Sequence, residues 1–486
     1  MVQKRKMFIS NEFIKQIQYR LLWLSLFSSI IIGFSLQIRA QDSKNCLLLD
    51  NWQSDSILTN STQVRYSSCW GFVQNGKEYG VIGSTEGHHI FELTEEDTFQ
   101  FIDFVPGRYV SSQAITREYK TYQQYLYASG DEGSGSLQIM DLSYLPDSVV
   151  LVADIQNTTI GKIHNLFIDT SNALLYACSV TPFLSGQEMS LVPLKVFSLQ
   201  DPLNPTFLWE GPNNIPEVHD IFVRNNLAIL NCGYDGIRVY DFTNPNSPTY
   251  LSNLSFYQEQ GYNHQGWLTP NNETYVFADE TPGTPLKKAK LNNDKSLTIQ
   301  SLFGIENEPY PKTAHNIQCT NEFAFVAYYN DGLRIFDLRT NPPEEIAFYD
   351  THQDINGNTF SMWGAWGIYT LLPSQRILVS DRISGFYLFS FDRNLFSKIK
   401  PSDEIRVLPN PSNSNEGFTV QLPYKMNATS VCVYDSFGRK IVEAEKPGSN
   451  LVTIDSVIVS GIYYVQIEFV NYLNEIEKHI EKLIIN

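Results

Sequence analysis

GYDGIRVYDFTNPNSPTYL, from Gly233 to Leu251, and YNDGLRIFDLRTNPPEEIAF, from Tyr329 to Phe348, are two copies of one pattern. An apolar run leads into an Asp-Gly turn, an alternating strand ends in Asp, and a Pro-rich turn opens onto a further strand. Asp-Gly between alternating apolar runs is a strong hairpin signal, because both residues tolerate positive φ. A hairpin followed by a third strand cannot bury its own apolar faces. Repetition of such a unit therefore predicts a stacked or radial all-β array.

Working outward, the unit can be read five more times: GSTEGHHIFELTEEDTFQFIDF from Gly83, SGDEGSGSLQIMDLSYLPDSVVLV from Ser129, LLYACSV with LKVFSLQDPLNPTFLWEG, TYVFADETPGTPLKKAKLNNDKSLTIQSLF from Thr274, and ILVSDRISGFYLFSFD from Ile377. The turn glycines 87, 135, 236, 283, 332 and 385 recur every 47–53 residues, with two periods between 135 and 236. An opening strand precedes most units: CWGFV from Cys69, HNLFID from His164, HDIFV from His219, HQGWLT from His264 and HNIQCT from His315. The second unit's opening strand falls, less regularly, around Ser111–Tyr122. Seven four-strand units predict a seven-bladed β-propeller. The seventh unit stops at Asp392 without an outer strand, while NCLLLDNW at Asn45–Trp52 is a spare one. This N-terminal strand is expected to close the last blade, removing exposed edges.

The two ends carry different signals. Basic residues precede the apolar run Leu21 to Leu36, followed by Gln37-Ile38-Arg39-Ala40 and polar Gln41-Asp42. That order, and a run too short for a membrane span, predict a signal peptide over residues 1–40, cut after Ala40, with no transmembrane span in the mature chain. Residues 1–40 hold a local +5, so the remainder sits near −22. Such acidity argues for solubility and against nucleic acid as a partner. Composition shifts again near Ser397, giving 41–396 as the repeat domain, 397–404 as a linker and 405–486 as a small Ig-like β-sandwich.

In that last segment Leu408-Pro409-Asn410-Pro411-Ser412 is followed by Val433-Tyr434-Asp435-Ser436-Phe437-Gly438-Arg439. Ser460-Gly461-Ile462-Tyr463-Tyr464-Val465 comes next, then Lys482-Leu483-Ile484-Ile485. These four motifs in order resemble the type A sorting domain of type IX secretion, with Leu408 where the family often has Tyr and Val459 where it often has Pro. The resemblance implies a Bacteroidetes protein, contact between residues 405–486 and the type IX machinery, and removal of the tail in transit. Trp363–Tyr369, ILVSDRISGFYLF, CWGFVQNGKEYGVIGSTEG and Ala314–Ile317 resemble LVIVD-repeat proteins of the choice-of-anchor B type over roughly residues 45–395. That second resemblance implies fold and cell-envelope address but no reaction.

Chemistry is sparser than architecture. His164, His219, His264 and His315 each start an opening strand, which in a propeller lines the channel, with Asp220 adjacent to one of them. Imidazole is a common metal ligand, so these four are the candidates for a divalent metal in the channel. The alternative is structural: a polar residue repeated in each unit hydrogen-bonds its neighbour's backbone. Trp70 and Trp366, each followed by Gly, stand where the first and last units lack this histidine, and are expected as neighbours able to stack on a sugar or aromatic ligand, or as packing anchors. His88-His89 reads as an exposed hairpin tip. ASGDEGSGS at Ala128–Ser136 lacks full calcium-loop spacing, and GxSxG, P-loop and HExxH are absent from the sequence. The long loop Thr181–Pro193 is the largest departure from the repeat. No cysteine pattern suggests zinc, though Cys46 and Cys69 could pair.

The expectation is thus a secreted or outer-membrane-surface binding module for protein or glycan, exported through the periplasm. A metal-dependent hydrolase or lyase using the four histidines is the alternative, and a structural envelope scaffold is a third reading.

Overall fold

The computed structural model describes residues 43–305, 311–351, 362–398, 404–414, 416–423, 426–455, 458–470 and 476–486. The expected leader, residues 1–40, and most of the expected linker lie outside them.

The chain is all-β, built from many small antiparallel sheets. Six sheets among the described residues hydrogen-bond four strands in chain order, and a seventh follows the same plan with a fourth strand from elsewhere in the chain. Sheet 1 runs Tyr66–Gln74, Lys77–Ser84, Gly87–Leu93, Phe99–Pro106, and sheet 2 runs Tyr119–Tyr122, Tyr125–Ser129, Leu137–Asp141, Val150–Ile155. Sheet 3 has Lys162–Asp169, Leu174–Thr181, Val192–Ser198, Thr206–Glu210, and sheet 4 has Asp220–Arg224, Leu227–Asn231, Ile237–Asp241, Thr249–Leu254. Sheet 5 comprises Asn263–Leu268, Thr274–Asp279, Leu286–Leu291, Leu297–Phe303. Sheet 6 comprises Ile317–Cys319, Phe323–Ala327, Leu333–Asp337, Glu344–Tyr349. Sheet 7 takes Ala365–Tyr369, Ile377–Asp381 and Gly385–Ser390 from one end of the domain, and its fourth strand, Leu47–Trp52, from the other. Ser43–Lys44 adds a fifth strand to sheet 6, a pairing the sequence did not suggest. The second opening strand is shorter and later than the 111–122 stretch.

Burial explains the pattern of the repeat. The inner strands are covered on both faces and read as continuous apolar runs, such as Phe323–Ala327, buried throughout. Outside sheet 6 the fourth strands are edges and are more exposed than the inner ones, as in Val150–Ile155. The strand-ending aspartates Asp141, Asp241 and Asp337 accept the backbone N–H two residues on, at 2.8–2.9 Å, forming the Asx turns that lead to the outer strands. Gly236 and Gly332 hold φ of +74° and +73°, and a Cβ there would meet the carbonyl oxygens of Leu254 and Tyr349 at 2.4 and 2.2 Å. Only glycine fits both demands.

First strands of consecutive sheets are neighbours, and Ala365–Tyr369 of sheet 7 also neighbours Tyr66–Gln74 of sheet 1. Core clusters bridge adjacent sheets. Sheets 4, 5 and 6 share one around Phe277 and Phe336, and sheets 6 and 7 another around Phe325 and Phe389. A short helix, Arg393–Lys398, follows sheet 7 and buries Phe396 in the latter cluster.

The C-terminal segment has two sheets on one core. Arg406–Leu408, Phe418–Gln421 and Leu451–Ile454 form the first; Lys440–Ser449, Asn427–Asp435, Gly461–Val470 and Ile476–Ile485 form the second. All six cysteines outside the expected leader are free thiols. The Cys46–Cys69 pairing is therefore corrected: Cys46 packs beside the cluster of sheets 6 and 7, Cys69 in that of sheets 1 and 7.

Candidate functional site: the histidine row

The four repeated histidines do come together. Ring centroids of His164 and His219 are 4.3 Å apart, those of His219 and His264 4.2 Å, and those of His264 and His315 4.2 Å. Each sits where a first strand begins, so the side-by-side first strands put the four rings in a row. Nδ1 of His219 donates to the carbonyl of His264 (3.1 Å), Nδ1 of His264 to that of His315 (3.2 Å), and Nδ1 of His315 to that of Trp366 (2.7 Å). A carbonyl only accepts, so Nδ1 carries the proton in all three and Nε2 keeps a lone pair. Burial holds all three below the ordinary histidine range, His219 and His315 well below it and pushed further by the adjacent His264, while the Glu280 carboxylate opposes burial at His264.

His164 breaks the pattern. Its Nδ1 faces Asp131 Oδ2 at 2.8 Å, and its Nε2 lies 2.7 Å from Nε2 of His219. With a carboxylate on one side and a lone pair on the other, both nitrogens donate. Burial opposes that charge, but the Asp131 carboxylate outweighs it and raises the pKa above the ordinary value.

An acid that the sequence did not flag completes the group. Asp279 ends a strand of sheet 5, fully buried, accepting from Lys287 Nζ (2.7 Å), Tyr257 Oη (2.7 Å) and the Gly261 N–H (2.8 Å). So anchored, it projects the next residue, Glu280, onto the row. The Glu280 carboxylate lies 3.8 Å from Nε2 of His264 and 3.9 Å from Nε2 of His315, and accepts a hydrogen bond from the Tyr329 hydroxyl. Nothing local marks Glu280 in the sequence, because its role depends on a neighbouring sheet.

Below the row, each of the seven first strands or their leads contributes one to three residues to the lining of one cavity, among them Lys120, Asn165, Asp220, Gln265 and Gln318. Its free interior is about 30 Å³, room for about two waters. Asn165 donates to Asp220 at 2.7 Å, and burial lifts the Asp220 carboxyl to about 7, with Lys120 opposing. Gln265 brackets the backbone of Ile317 through both amide atoms, at 3.2 and 2.8 Å, and Gln318 accepts from the Thr370 N–H at 2.8 Å. In this layer repeated polar residues stitch sheet 3 to 4, 5 to 6 and 6 to 7. Glu118 and Lys120 were likewise unmarked in the sequence; burial raises the carboxyl of the first and lowers the amine of the second.

Two expectations are corrected. Trp70 and Trp366 do not form an indole pair. Trp70 packs on Tyr369 (4.6 Å) with Lys120 over its ring (4.4 Å), and both tryptophan strands carry a register shift, between Tyr66 and Cys69 and between Ala365 and Gly367. Trp366 lies on His315 instead, 4.8 Å away. His88 and His89 are not an exposed tip. His88 is fully buried between Tyr119 Oη (2.8 Å) and Gln138 Oε1 (2.9 Å), and His89 meets Ser84 Oγ (2.9 Å).

The C-terminal motifs interlock. Asn410, between Pro409 and Pro411, donates to the Lys482 carbonyl (2.6 Å) and accepts from the Ile484 N–H (3.0 Å). Gly438, at φ +77°, lets the chain turn so that Asp435 accepts from the N–H and Nε of Arg439, at 2.9 and 2.7 Å. Gly461 starts the long strand on which Tyr463 reaches back to the Val459 carbonyl at 2.7 Å.

Fold and site thus define an all-β repeat protein with a separately cored C-terminal module. Residues 406–486 match the family model described as a secretion system C-terminal sorting domain. This module is a type IX sorting domain, and the chain is exported to the cell surface or secreted by that route. No curated protein matches the chain. Among solved structures, PorZ, described as an essential bacterial surface component of the type IX secretion system of Porphyromonas gingivalis, is similar at 10% identity and a TM-score of 0.48, over 90% of this chain. The chain spans only 61% of PorZ's length. U3-55K is similar at 11% identity and TM-score 0.49, covering 71% of this chain and 98% of that one. The computationally designed Ika8 is similar at 10% identity and TM-score 0.43, covering 68% of this chain and 98% of that one.

Proposed function

We propose that residues 41–396 form a seven-bladed β-propeller of the LVIVD-repeat, choice-of-anchor B kind, and that the mature protein works outside the cell as a binding module for another protein. The neighbouring first strands, the cavity they all line and the strand Leu47–Trp52 added to sheet 7 support the propeller. Residues 397–404 link it to an Ig-like β-sandwich at 405–486, which engages the secretion machinery after signal-peptide export.

One observation carries the binding reading. Loops at the end of the sheets where the histidine row lies expose large apolar side chains: Leu184, Met189 and Leu191 in the 181–193 loop, Tyr234 (78% exposed) and Phe256 (89% exposed). Apolar groups on loops of a rigid scaffold mark contact surfaces. The narrow cavity has no room for a sugar, and loops that mix aliphatic, Met and aromatic side chains have the make-up of a protein-binding surface. The test is capture of envelope and matrix proteins by the mature chain, compared with a Leu184→Ser, Tyr234→Ser, Phe256→Ser variant. At least a tenfold loss of affinity with an unchanged melting temperature is expected. Equal capture by the variant, or binding confined to glycans, would sink this reading.

A further inference from the structure

The lower layer shows what inter-sheet stitching alone requires: Gln265 and Gln318 do it with an amide. The histidine row makes the equivalent carbonyl bonds through Nδ1 and leaves a second nitrogen, Nε2, that those bonds do not use. A ring nitrogen of His219, one of His264 and a Glu280 oxygen lie within 4.8 Å of one another, and Nε2 of His264 is the nitrogen that faces Glu280. We propose that this cluster is a binding site for a divalent first-row metal ion of the zinc class, held by His219, His264 and Glu280, with Nε2 of His315 as a fourth donor.

The donor set is that of zinc proteins, two or three imidazoles and a carboxylate. Around an ion with bonds of about 2.0–2.2 Å, donors stand roughly 3.3 Å apart, so from within 4.8 Å of one another the imidazoles and the Glu280 carboxylate draw together by up to about 1.5 Å when the ion binds. The surrounding hydrogen bonds are those a metal centre needs. A ligating histidine normally donates its other N–H to a carbonyl or carboxylate, which fixes tautomer and orientation. His219, His264 and His315 already do so, and the Tyr329 hydroxyl holds Glu280. His164, now on His219 Nε2, gives up that contact when the ion arrives while Asp131 retains its Nδ1.

The experiment uses the mature full chain, stripped with chelator, desalted and titrated calorimetrically with zinc chloride. One equivalent is expected, with a visible absorption spectrum of low-coordinate Co²⁺ when cobalt replaces zinc. Tyr329→Phe should weaken binding by about 10–100-fold, and Glu280→Gln by at least tenfold. His219→Ala with His264→Ala should abolish it. Should the double variant fail to fold, Glu280→Gln decides, since its amide fills the same space. No stoichiometric uptake of zinc, cobalt or manganese by the wild type overturns the site, as does full-strength binding by Glu280→Gln. Partner capture is measured in chelator, so failure here leaves the binding-module reading standing.

Discussion

His88 and His89 in sheet 1 and the row His164, His219, His264 and His315 are the same residue type in two settings. One pair follows a turn and is sealed in the core; the other set repeats at strand starts and converges. The pair's nitrogens are matched to Tyr119, Gln138 and Ser84. Three members of the row have one nitrogen bonded to a carbonyl and one still facing a neighbour. The contrast teaches that position beside a turn says little about exposure, while recurrence at one place in each repeat says much about convergence.

The largest effect should come from acid. Burial, then the Arg117 charge, holds His88 at about 3 and His89 at about 4. Both are neutral in the fold but gain a proton below about pH 6.5 when unfolded. Their contribution is present above that pH and is lost as pH falls toward the folded values. Between pH 7.5 and 5 each costs about 2 kcal/mol, so the pair costs about 4. His219, His264 and His315 push in the same direction. Denaturant midpoints at pH 7.5 and 5 should show the loss, and His89→Phe should lose about 2 kcal/mol less than wild type. An unchanged pH dependence would mean that His89 titrates freely and the contrast fails.

Next is His88→Ala at pH 7.5. It leaves the Tyr119 hydroxyl and Gln138 amide without their partner and opens a hole, costing about 3 kcal/mol. His264→Ala also opens a hole but breaks one hydrogen bond where His88→Ala breaks two, so it should cost less, about 2 kcal/mol. Chemical unfolding in chelator measures both. A reversal of the order would make the row the structural set and the pair the dispensable one.

The repeat, the alternation, the Asx-turn aspartates and the spare strand made the sheets legible, since each signal is local or periodic. The row was legible because its members recur. Glu280 was not: it is placed by Asp279 and used by histidines of sheets 4, 5 and 6, a relation no spacing encodes. Asp131 lay in view within ASGDEGSGS but was weighed as a calcium loop, when its partner is one imidazole of the next sheet. Trp70 and Trp366 misled because identical Trp-Gly pairs hide register shifts, between Tyr66 and Cys69 in one strand and between Ala365 and Gly367 in the other, that only the strand pairing exposes.

The smallest effect separates His164 from the rest of the row. Its pKa is raised, so the sign is opposite: the stabilisation it brings is full below about pH 6.5 and fades as pH rises through the folded value. Asp131→Asn removes the carboxylate responsible. The pair is partly exposed, so the loss should stay under about 1 kcal/mol, appear below pH 6.5 and vanish at high pH. The decisive readout is the His164 titration followed by NMR, which should move down once burial is no longer opposed by the Asp131 charge. If it stays put, His164 is neutral beside His219, and all four histidines belong to one set.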